Sequence, residues 1–194
     1  MHVVAAPDKF RGTASALEIA TAVERAVAEH EGTTAVLPMA DGGEGTLEAL
    51  GGSNQTSLVT GPLGGLVEAP WQLTGTTAII EMAKASGLIT IGGPEFNEVL
   101  DATSAGTGEL ILSAVEHGAT RIIVGLGGSA STDGGLGAIE AMGSPARYRG
   151  IEILVACDVN TRFVDSAKMF SPQKGATRAE VEMLERRLKR LVQI

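Results

Sequence analysis

Four aspartates in this chain occur where a predicted strand has just ended or leads into a helix: Asp8, Asp41, Asp133 and Asp158. In doubly wound α/β folds, such strand ends converge on the ligand crevice. Carboxylates placed there can hold Mg²⁺ or accept a proton from a substrate hydroxyl. A single aspartate in such a place is more often a helix N-cap. Four in equivalent places favour a shared site.

A ten-residue phrase that begins with one of these aspartates occurs twice. Residues 41–50 and 133–142 are identical at six of the ten positions, and each copy is an Asp-Gly-Gly-x-Gly turn followed by residues of helical character. A short apolar run precedes each copy, at 33–37 and at 121–124. Glycine permits positive φ and close approach of a ligand to the backbone, and a helix start offers unpaired N–H groups. Each copy therefore predicts an anion site, although such turns also occur without a ligand.

The longest loop signal covers residues 125–135, with five glycines, three hydroxyl residues and an acid between a strand and a helix. Backbone N–H groups and hydroxyls suit phosphate oxygens, and the acid suits Mg²⁺. Gly125, Gly127 and Ala130 also match the dinucleotide fingerprint, but the next acid at a strand end, Asp158, lies further on than that motif expects. The P-loop pattern is absent because the chain has no Gly-Lys dipeptide. A phosphate-binding loop of another type is predicted, with a dinucleotide-binding oxidoreductase domain as an alternative.

The chain is acidic, with a net charge of −8 at pH 7, which argues against a nucleic-acid surface. Three cations near the predicted loops stand out against this background. Lys9 and Arg11 follow the first strand, and Lys174 precedes the last helix. Each could bind a phosphate or carboxylate, and each could equally be an ordinary surface charge.

The composition is 44% hydrophobic but only 3% aromatic. A core of Val, Ile, Leu and Ala is therefore expected, which is typical of a helix-covered parallel sheet. The single cysteine, Cys157, suits a reducing compartment and is predicted to be a small core residue. No apolar run approaches membrane-spanning length, and the first residues indicate a strand rather than a signal peptide. A cytoplasmic protein is expected. The three histidines show no metal-ligand spacing.

Strand and helix patterns alternate along the chain, which predicts an α/β protein. Capping boxes predict helix starts at Ser15 and Thr177, and a further helix is expected from Thr103 or Ser104 to His117. Between residues 56 and 82, β-type runs broken by Gly-Pro and Gly-Gly predict hairpins. The expected fold is a mainly parallel sheet flanked by helices, with a smaller hairpin-containing subdomain. A boundary near Gly61 would divide the chain into units 1–61 and 62–194.

Seven segments of the chain, in this order, resemble motifs of the bacterial glycerate kinase family, the two-domain type that is not a P-loop kinase. They are residues 6–12, 38–46, 81–88, 103–110, 125–137, 156–159 and 170–177. The match is colinear and covers most of residues 1–180. Seven motifs in register are far more specific than any one of them.

The resemblance implies transfer of the γ-phosphoryl group of ATP to a hydroxyl of glycerate, with Mg²⁺. Such transfer depends mostly on positioning and electrostatic stabilisation. Carried over to the matching positions, the catalytic residues are Asp8, Lys9, Asp41, Asp133 and Asp158, with Asp41 and Asp133 also as metal ligands. The nucleotide-binding residues are Gly42, Gly43, Glu44, Gly127, Gly128, Ser129, Gly134 and Lys174. The substrate-binding residues are Lys9, Arg11, Ser104 and Thr107.

The chain also departs from the family pattern. Family members are longer, with a glycine-rich segment where this chain has only residues 144–150, and with a further α/β region after the last helix. The chain thus resembles a truncated enzyme, and a non-catalytic remnant that binds a small anion or nucleotide is the alternative. Bare apolar faces promote association. We expect such faces to be covered either in a homodimer or by the last helix, residues 181–192.

Overall fold

The computed structural model describes residues 1–8, 10 and 13–193. A two-stranded parallel sheet begins the fold, with β1 (His2–Ala5) beside β2 (Thr33–Val36). Helix α1 (Ala16–Ala28) connects them and starts at the predicted capping box. The Glu18 N–H donates to Ser15 Oγ at 3.2 Å, and the Ser15 N–H donates back to Glu18 Oε2 at 2.7 Å.

A separate five-stranded sheet has the order β3-β4-β5-β6-β7. Its strands are β3 (Gln55–Thr60), β4 (Leu66–Thr74), β5 (Thr77–Glu81), β6 (Arg121–Gly125) and β7 (Glu152–Ala156). The first three form the predicted antiparallel hairpins, and the last three are parallel. The α/β class is confirmed. The sheet is mixed rather than mainly parallel, because the hairpin strands extend the same sheet.

The predicted boundary near Gly61 lies in the turn between two strands that pair with each other, β3 and β4. The division into units 1–61 and 62–194 stays a prediction.

The main core lies between the five-stranded sheet and α4 (Ala105–Glu116). Trp71, Ile80, Leu110 and Ile122 are fully buried there. The indole N–H of Trp71 donates to Ser57 Oγ at 3.0 Å, and its ring meets His117 edge-to-face with centroids 5.5 Å apart. A buried tryptophan needs such a partner for its N–H. The ring contact with His117 fastens the hairpin strands to the end of α4, the helix that was predicted to end at that residue.

Four short α-helices lie between these elements in the part of the chain that the structure describes: α2 (Thr46–Ala49), α3 (Met82–Ser86), α5 (Leu136–Met142) and α6 (Ser166–Phe170). The last helix, α7 (Arg178–Leu191), starts at the second predicted capping box, where the Thr177 side chain accepts from the Glu180 N–H. Leu184 and Leu188 of α7 bury themselves against Ala167, forming a second, smaller core. None of the helices that the structure describes is both long and apolar enough to cross a membrane.

Cys157 is exposed, so the prediction of a buried core cysteine is wrong. The reason lies in the sheet order, since β7 is an edge strand and Cys157 follows its last residue. Neighbouring Val155 is likewise 58% exposed. An apolar strand pattern does not distinguish the centre of a sheet from its edge.

The chain crosses from α5 to β7 through a compact turn. A short 3-10 helix covers Pro145–Tyr148, and the Tyr148 hydroxyl donates to the carbonyl of Met142 at 2.9 Å. The Tyr148 ring packs against the main core. This turn therefore joins the end of α5 to the start of β7 without a further strand or α-helix.

Candidate active site

The first Asp-Gly-Gly loop packs directly against the carboxyl ends of β6 and β7. The Gly127 N–H donates to the Gly42 carbonyl at 3.0 Å. A Cβ on Gly42 would lie 2.3 Å from the carbonyl oxygen of Ala156, and one on Gly127 would lie 2.4 Å from Cα of Gly43. The two glycine loops that the sequence singled out therefore touch, backbone against backbone, because neither carries side chains at the contact.

Glu44 lies beside both the long glycine loop and the loop that follows β1 at Asp8. A Cβ on Gly128 would lie 3.3 Å from Glu44 Oε1, so the carboxylate lies beside the long glycine loop. Glu44 and Asp8 also line one small cavity, of about 20 Å³, with the start of α1. Two predicted site carboxylates are thus brought to the same place. Lys9 and Arg11, the predicted cations of that loop, lie outside the described residues.

Lys174 contacts the middle of the long glycine loop, at Ser129 and Ser131. It is only 8% exposed, and its Nζ donates to Ser129 Oγ at 2.8 Å and to the Ser131 carbonyl. Burial lowers the pKa of the Lys174 ammonium to about 8, while the nearby charge of Asp133 opposes that shift. The ammonium is therefore part of the loop and not an ordinary surface charge.

Asn97 holds this arrangement together and was missed in the sequence. Its side-chain N–H groups donate to the carbonyl of Ala130 at 3.1 Å and to that of Lys174 at 2.8 Å. It thus fastens the segment of the lysine to the glycine loop. A lone asparagine directly after the 3-10 helix Pro94–Phe96 carries no pattern that could have revealed this role.

Asp133 has four hydrogen bonds to its carboxylate. Oδ2 accepts from the Ser104 N–H at 2.8 Å, from Ser104 Oγ at 2.7 Å and from the Gly137 N–H at 3.3 Å. Oδ1 accepts from the Gly135 N–H at 3.0 Å. The side chain therefore joins the glycine loop, the start of α5 and the start of α4.

The two copies of the repeated phrase share their turn but not their surroundings. Asp41 Oδ1 accepts from the Gly43 N–H at 2.7 Å, which is the same turn that Asp133 makes with Gly135. The second copy, however, faces α7: a Cβ on Gly134 would lie 3.0 Å from Leu188 Cδ2 and 3.1 Å from Leu191 Cδ1. The role of Gly134 in nucleotide binding stays a prediction.

Ser104 and Thr107, carried over as substrate contacts, are both buried. Ser104 Oγ donates to Asp133 and accepts from the Ala138 N–H at 3.0 Å. Thr107 Oγ1 donates to Ser86 Oγ at 2.9 Å. Both hydroxyls are thus engaged within the protein, and their direct contact with substrate stays a prediction. Asp158 is exposed beyond the end of β7.

Glu81 is a buried acid that was not among the site residues predicted from the sequence. It ends β5 opposite Gly125, is 1% exposed, and its Oε1 accepts from the Leu47 N–H at 2.5 Å. Its Oε2 has no hydrogen-bond partner among the described residues, and Lys84 Nζ lies 3.8 Å from it. The signal was available, because Glu81 closes an apolar run at a strand end, as the four aspartates do.

The touching glycine loops, Ser129, the Lys174 ammonium and the nearby carboxylates form a set of groups suited to phosphate. Backbone N–H groups and an ammonium bind phosphate oxygens. A carboxylate nearby can accept a proton or hold a cation that accompanies the phosphate. No group of three or more metal-binding side chains is close enough, within the described part of the chain, to hold a metal ion unaided.

The low pKa of Lys174 predicts how the stability and the phosphate affinity of the protein depend on pH. Between the folded value of about 8 and the ordinary value of 10.5, the unfolded chain holds the proton and the folded chain does not. The free energy of unfolding should therefore rise with pH in this window, by up to about 1.4 kcal/mol per pH unit. Phosphate affinity should fall over the same window, since the ammonium is lost.

Urea unfolding from pH 7 to 10.5 measures this effect. Lys174→Met should remove the rise that this residue contributes, and Lys168→Met, at an exposed position on α6, should keep it. Equal pH profiles for the wild type and Lys174→Met would contradict the assignment.

Comparison with known proteins identifies the class of protein to which this fold and site belong. The model of the glycerate kinase family matches residues 3–146 and 144–194. The chain therefore belongs to the glycerate kinase family. The two matched pieces meet at the turn between α5 and β7, where the sequence had indicated a shortened segment.

Individual relatives agree with this assignment. Glycerate 2-kinase of Escherichia coli K12 is 38% identical over an alignment of 233 residues, covering 100% of this chain and 61% of the relative. Glycerate kinase of Bacillus subtilis 168 is 37% identical, covering 95% of this chain and 58% of the relative. A crystal structure described as glycerate kinase 2 from Salmonella typhimurium LT2 superposes with a TM-score of 0.83 at 38% identity. That match covers 98% of this chain and 61% of the Salmonella chain.

The chain thus spans about 61% of the length of these relatives. Since the alignment runs over 233 residues and this chain has 194, the Escherichia coli relative also carries residues inside the matched range that this chain lacks. The resemblance to the family and the shortened length are both confirmed.

Proposed function

We propose that this chain carries the phosphate-binding part of a glycerate kinase, which transfers the γ-phosphoryl group of ATP to a hydroxyl of glycerate. The observation that supports this most is the contact between the two glycine loops, with the Lys174 ammonium buried against the middle of the longer one. Phosphoryl transfer needs mainly fixed donors around the phosphates. A loop whose amides and one cation are held by the fold meets that need.

In the proposed reaction, a hydroxyl oxygen of glycerate attacks the γ-phosphorus, and the bond from that phosphorus to the ADP oxygen breaks. The hydroxyl proton passes to a carboxylate drawn from Asp8, Asp41 and Asp158. Gly42, Gly128 and Ser129 would donate to phosphate oxygens. The N–H groups of Gly43 and Gly127 already donate to Asp41 and to the Gly42 carbonyl, so these two glycines would shape the site instead. Lys174 would neutralise the developing charge, and Lys9 and Arg11 would bind the substrate carboxylate.

Asp133 has a different role in this proposal. Its two oxygens already accept four hydrogen bonds, so a metal ion there would have to displace them. We assign it the positioning of the glycine loop, with Ser104 acting through it. Thr107 likewise acts through Ser86.

The described residues fit Mg²⁺ as an ion that arrives with the nucleotide phosphates. Mg²⁺ in kinases is usually held by one or two carboxylates together with phosphate oxygens and water. Glu44 has its carboxylate beside the glycine loop, and Asp41 lies in the same turn. When bound, the ion would neutralise phosphate charge, and Glu44 and Asp41 would hold it.

The main alternative is a remnant that binds a small anion or nucleotide without turnover. The dinucleotide-binding oxidoreductase alternative has weaker support. That fingerprint needs a helix that opens within the motif, whereas α5 begins at Leu136, after Ala130.

Calorimetric titration with Mg-ATP tests the phosphate site. We expect wild type to bind it, and Glu44→Gln to bind it at least tenfold more weakly in Mg²⁺ than wild type, a difference of about 1.4 kcal/mol. The control is Glu24→Gln, which changes an exposed carboxylate on α1 outside the cavity that Glu44 lines. Equal affinities for the two variants would remove the metal role of Glu44. Titration of the same protein with NAD tests the dinucleotide-binding oxidoreductase alternative.

A coupled glycerate kinase assay on the same sample separates the enzyme from the remnant. Turnover well below that of the Escherichia coli relative is expected, since closure of a complete site around the phosphates excludes water. No turnover together with Mg-ATP binding would favour the remnant. The homodimer stays a prediction, checked by light scattering of that sample.

A further inference from the structure

A second concave site lies on the other side of Asp133, away from the contact between the glycine loops. It is a cavity of about 270 Å³ between α7, the segment at residues 99–102 and the start of α5. Its apolar lining includes Val99, Leu184, Leu188 and Leu191. Small-molecule sites are typically concave and mostly apolar, with a few polar groups that orient the ligand. This cavity is near the lower end of their size range.

The polar groups of the cavity are of a kind that would orient an anion. Arg187 and Arg190 both line it from α7, and Arg187 Nη1 donates to the carbonyl of Leu100, which fixes that side chain at the wall. Within the described part of the chain, no carboxylate lies in ion-pair distance of Arg190.

Thr132 supplies a further polar group at the wall. Its Oγ1 is buried and has no hydrogen-bond partner among the described residues. A buried hydroxyl without a partner is costly, so the wall of the cavity at Thr132 is not fully satisfied within the described part of the chain.

Asp133 does not cancel this positive character. It lines the same cavity, but both its oxygens are occupied by the N–H and O–H donors of Ser104, Gly135 and Gly137. Donors that point at a carboxylate offset its charge. The cavity therefore combines an apolar body with a cationic wall.

We propose that this cavity binds a small organic anion with an apolar body, of the size of a six-carbon carboxylic acid. The apolar part would lie against the leucines of α7, and the carboxylate would bind Arg190. This goes beyond the proposed kinase reaction, because the groups that react there, glycerate and the γ-phosphate of ATP, have no apolar part to place in the cavity. Asp133 and Thr132 belong to the long glycine loop, so an occupant would also contact the loop to which Lys174 donates.

Three ligands of equal length test the proposal on the intact chain: hexanoate, hexanol and hexylamine, titrated by NMR or calorimetry. Hexanoate should bind saturably and at least tenfold more tightly than hexylamine. Arg190→Ala should weaken hexanoate about tenfold and leave hexanol nearly unchanged. Arg186→Ala, which removes an exposed arginine of the same helix outside the cavity, should change neither.

Filling the cavity gives a second measurement. Leu191→Trp or Leu136→Trp should abolish saturable hexanoate binding, and circular dichroism would identify the variant that keeps its fold. The proposal is overturned if hexanoate binds no better than hexylamine, if the two arginine variants bind alike, or if a folded tryptophan variant binds as wild type does. Mg-ATP titration of Arg190→Ala should match wild type, so failure here and failure of the phosphate site are distinguishable.

Discussion

Replacing Gly42 by alanine is expected to lower the free energy of unfolding by about 3 kcal/mol or more. Gly42 has φ +86°, a conformation that costs an L-residue about 1–2 kcal/mol. The new Cβ would also lie 2.3 Å from the Ala156 carbonyl oxygen, which is fixed in β7. The backbone must then shift, and overpacking of this kind costs about 1–3 kcal/mol. Urea unfolding monitored by circular dichroism measures the loss.

Gly45→Ala provides the matched comparison. Gly45 has nearly the same φ, +90°, but a Cβ on this residue would meet no atom within 4 Å beyond its own chain neighbours. That variant should show only the cost of the backbone conformation, about 1–2 kcal/mol. The difference between the two variants isolates the contact between the loops. If both lose the same stability, the close approach of Gly42 to β7 is not what the structure indicates.

Asp133→Asn is expected to destabilise the protein by about 2–4 kcal/mol. An asparagine at a helix start would ordinarily keep a cap, and the sequence alone would favour a folded variant. Here both carboxylate oxygens accept hydrogen bonds from backbone N–H groups. An amide in either orientation turns its NH₂ toward at least one of these donors. A buried N–H then loses its acceptor and meets another donor.

Thermal and urea unfolding of Asp133→Asn measure this loss, with Asp101→Asn at an exposed position as the control. Mg-ATP affinity should fall with the stability, since the glycine loop loses its link to α4. A variant with wild-type stability but weakened Mg-ATP binding would contradict the positioning role. It would instead support direct contact of Asp133 with a ligand or its metal ion.

Local patterns in the sequence predicted the features that depend on neighbouring residues. Both capping boxes start helices where Ser15 and Thr177 indicated. The strands and hairpins also lie where they were predicted from apolar runs bounded by glycine and proline. Such features are predictable because the hydrogen bonds that define them join residues a few positions apart.

Features that depend on distant partners were not predictable in this way. The repeated phrase forms the same aspartate turn twice, yet α2 begins at Thr46 and α5 at Leu136, which are different positions of the phrase. The first turn meets Gly127, whereas Asp133 meets Ser104. Similar residues have different partners because the surrounding elements differ. The exposure of Cys157 and the role of Asn97 were missed for the same reason.

The turn between α5 and β7 explains how family members can differ in length without a change of architecture. Tyr148 closes the turn on Met142, so the two anchor points of any longer excursion already lie side by side. The entropy cost of a longer loop between fixed ends grows only slowly with its length. The pairing of β6 with β7 begins right after the turn, at Arg121 opposite Glu152, and does not depend on what precedes it. This position is therefore a natural place for insertion and deletion, and for grafting a foreign domain onto the scaffold.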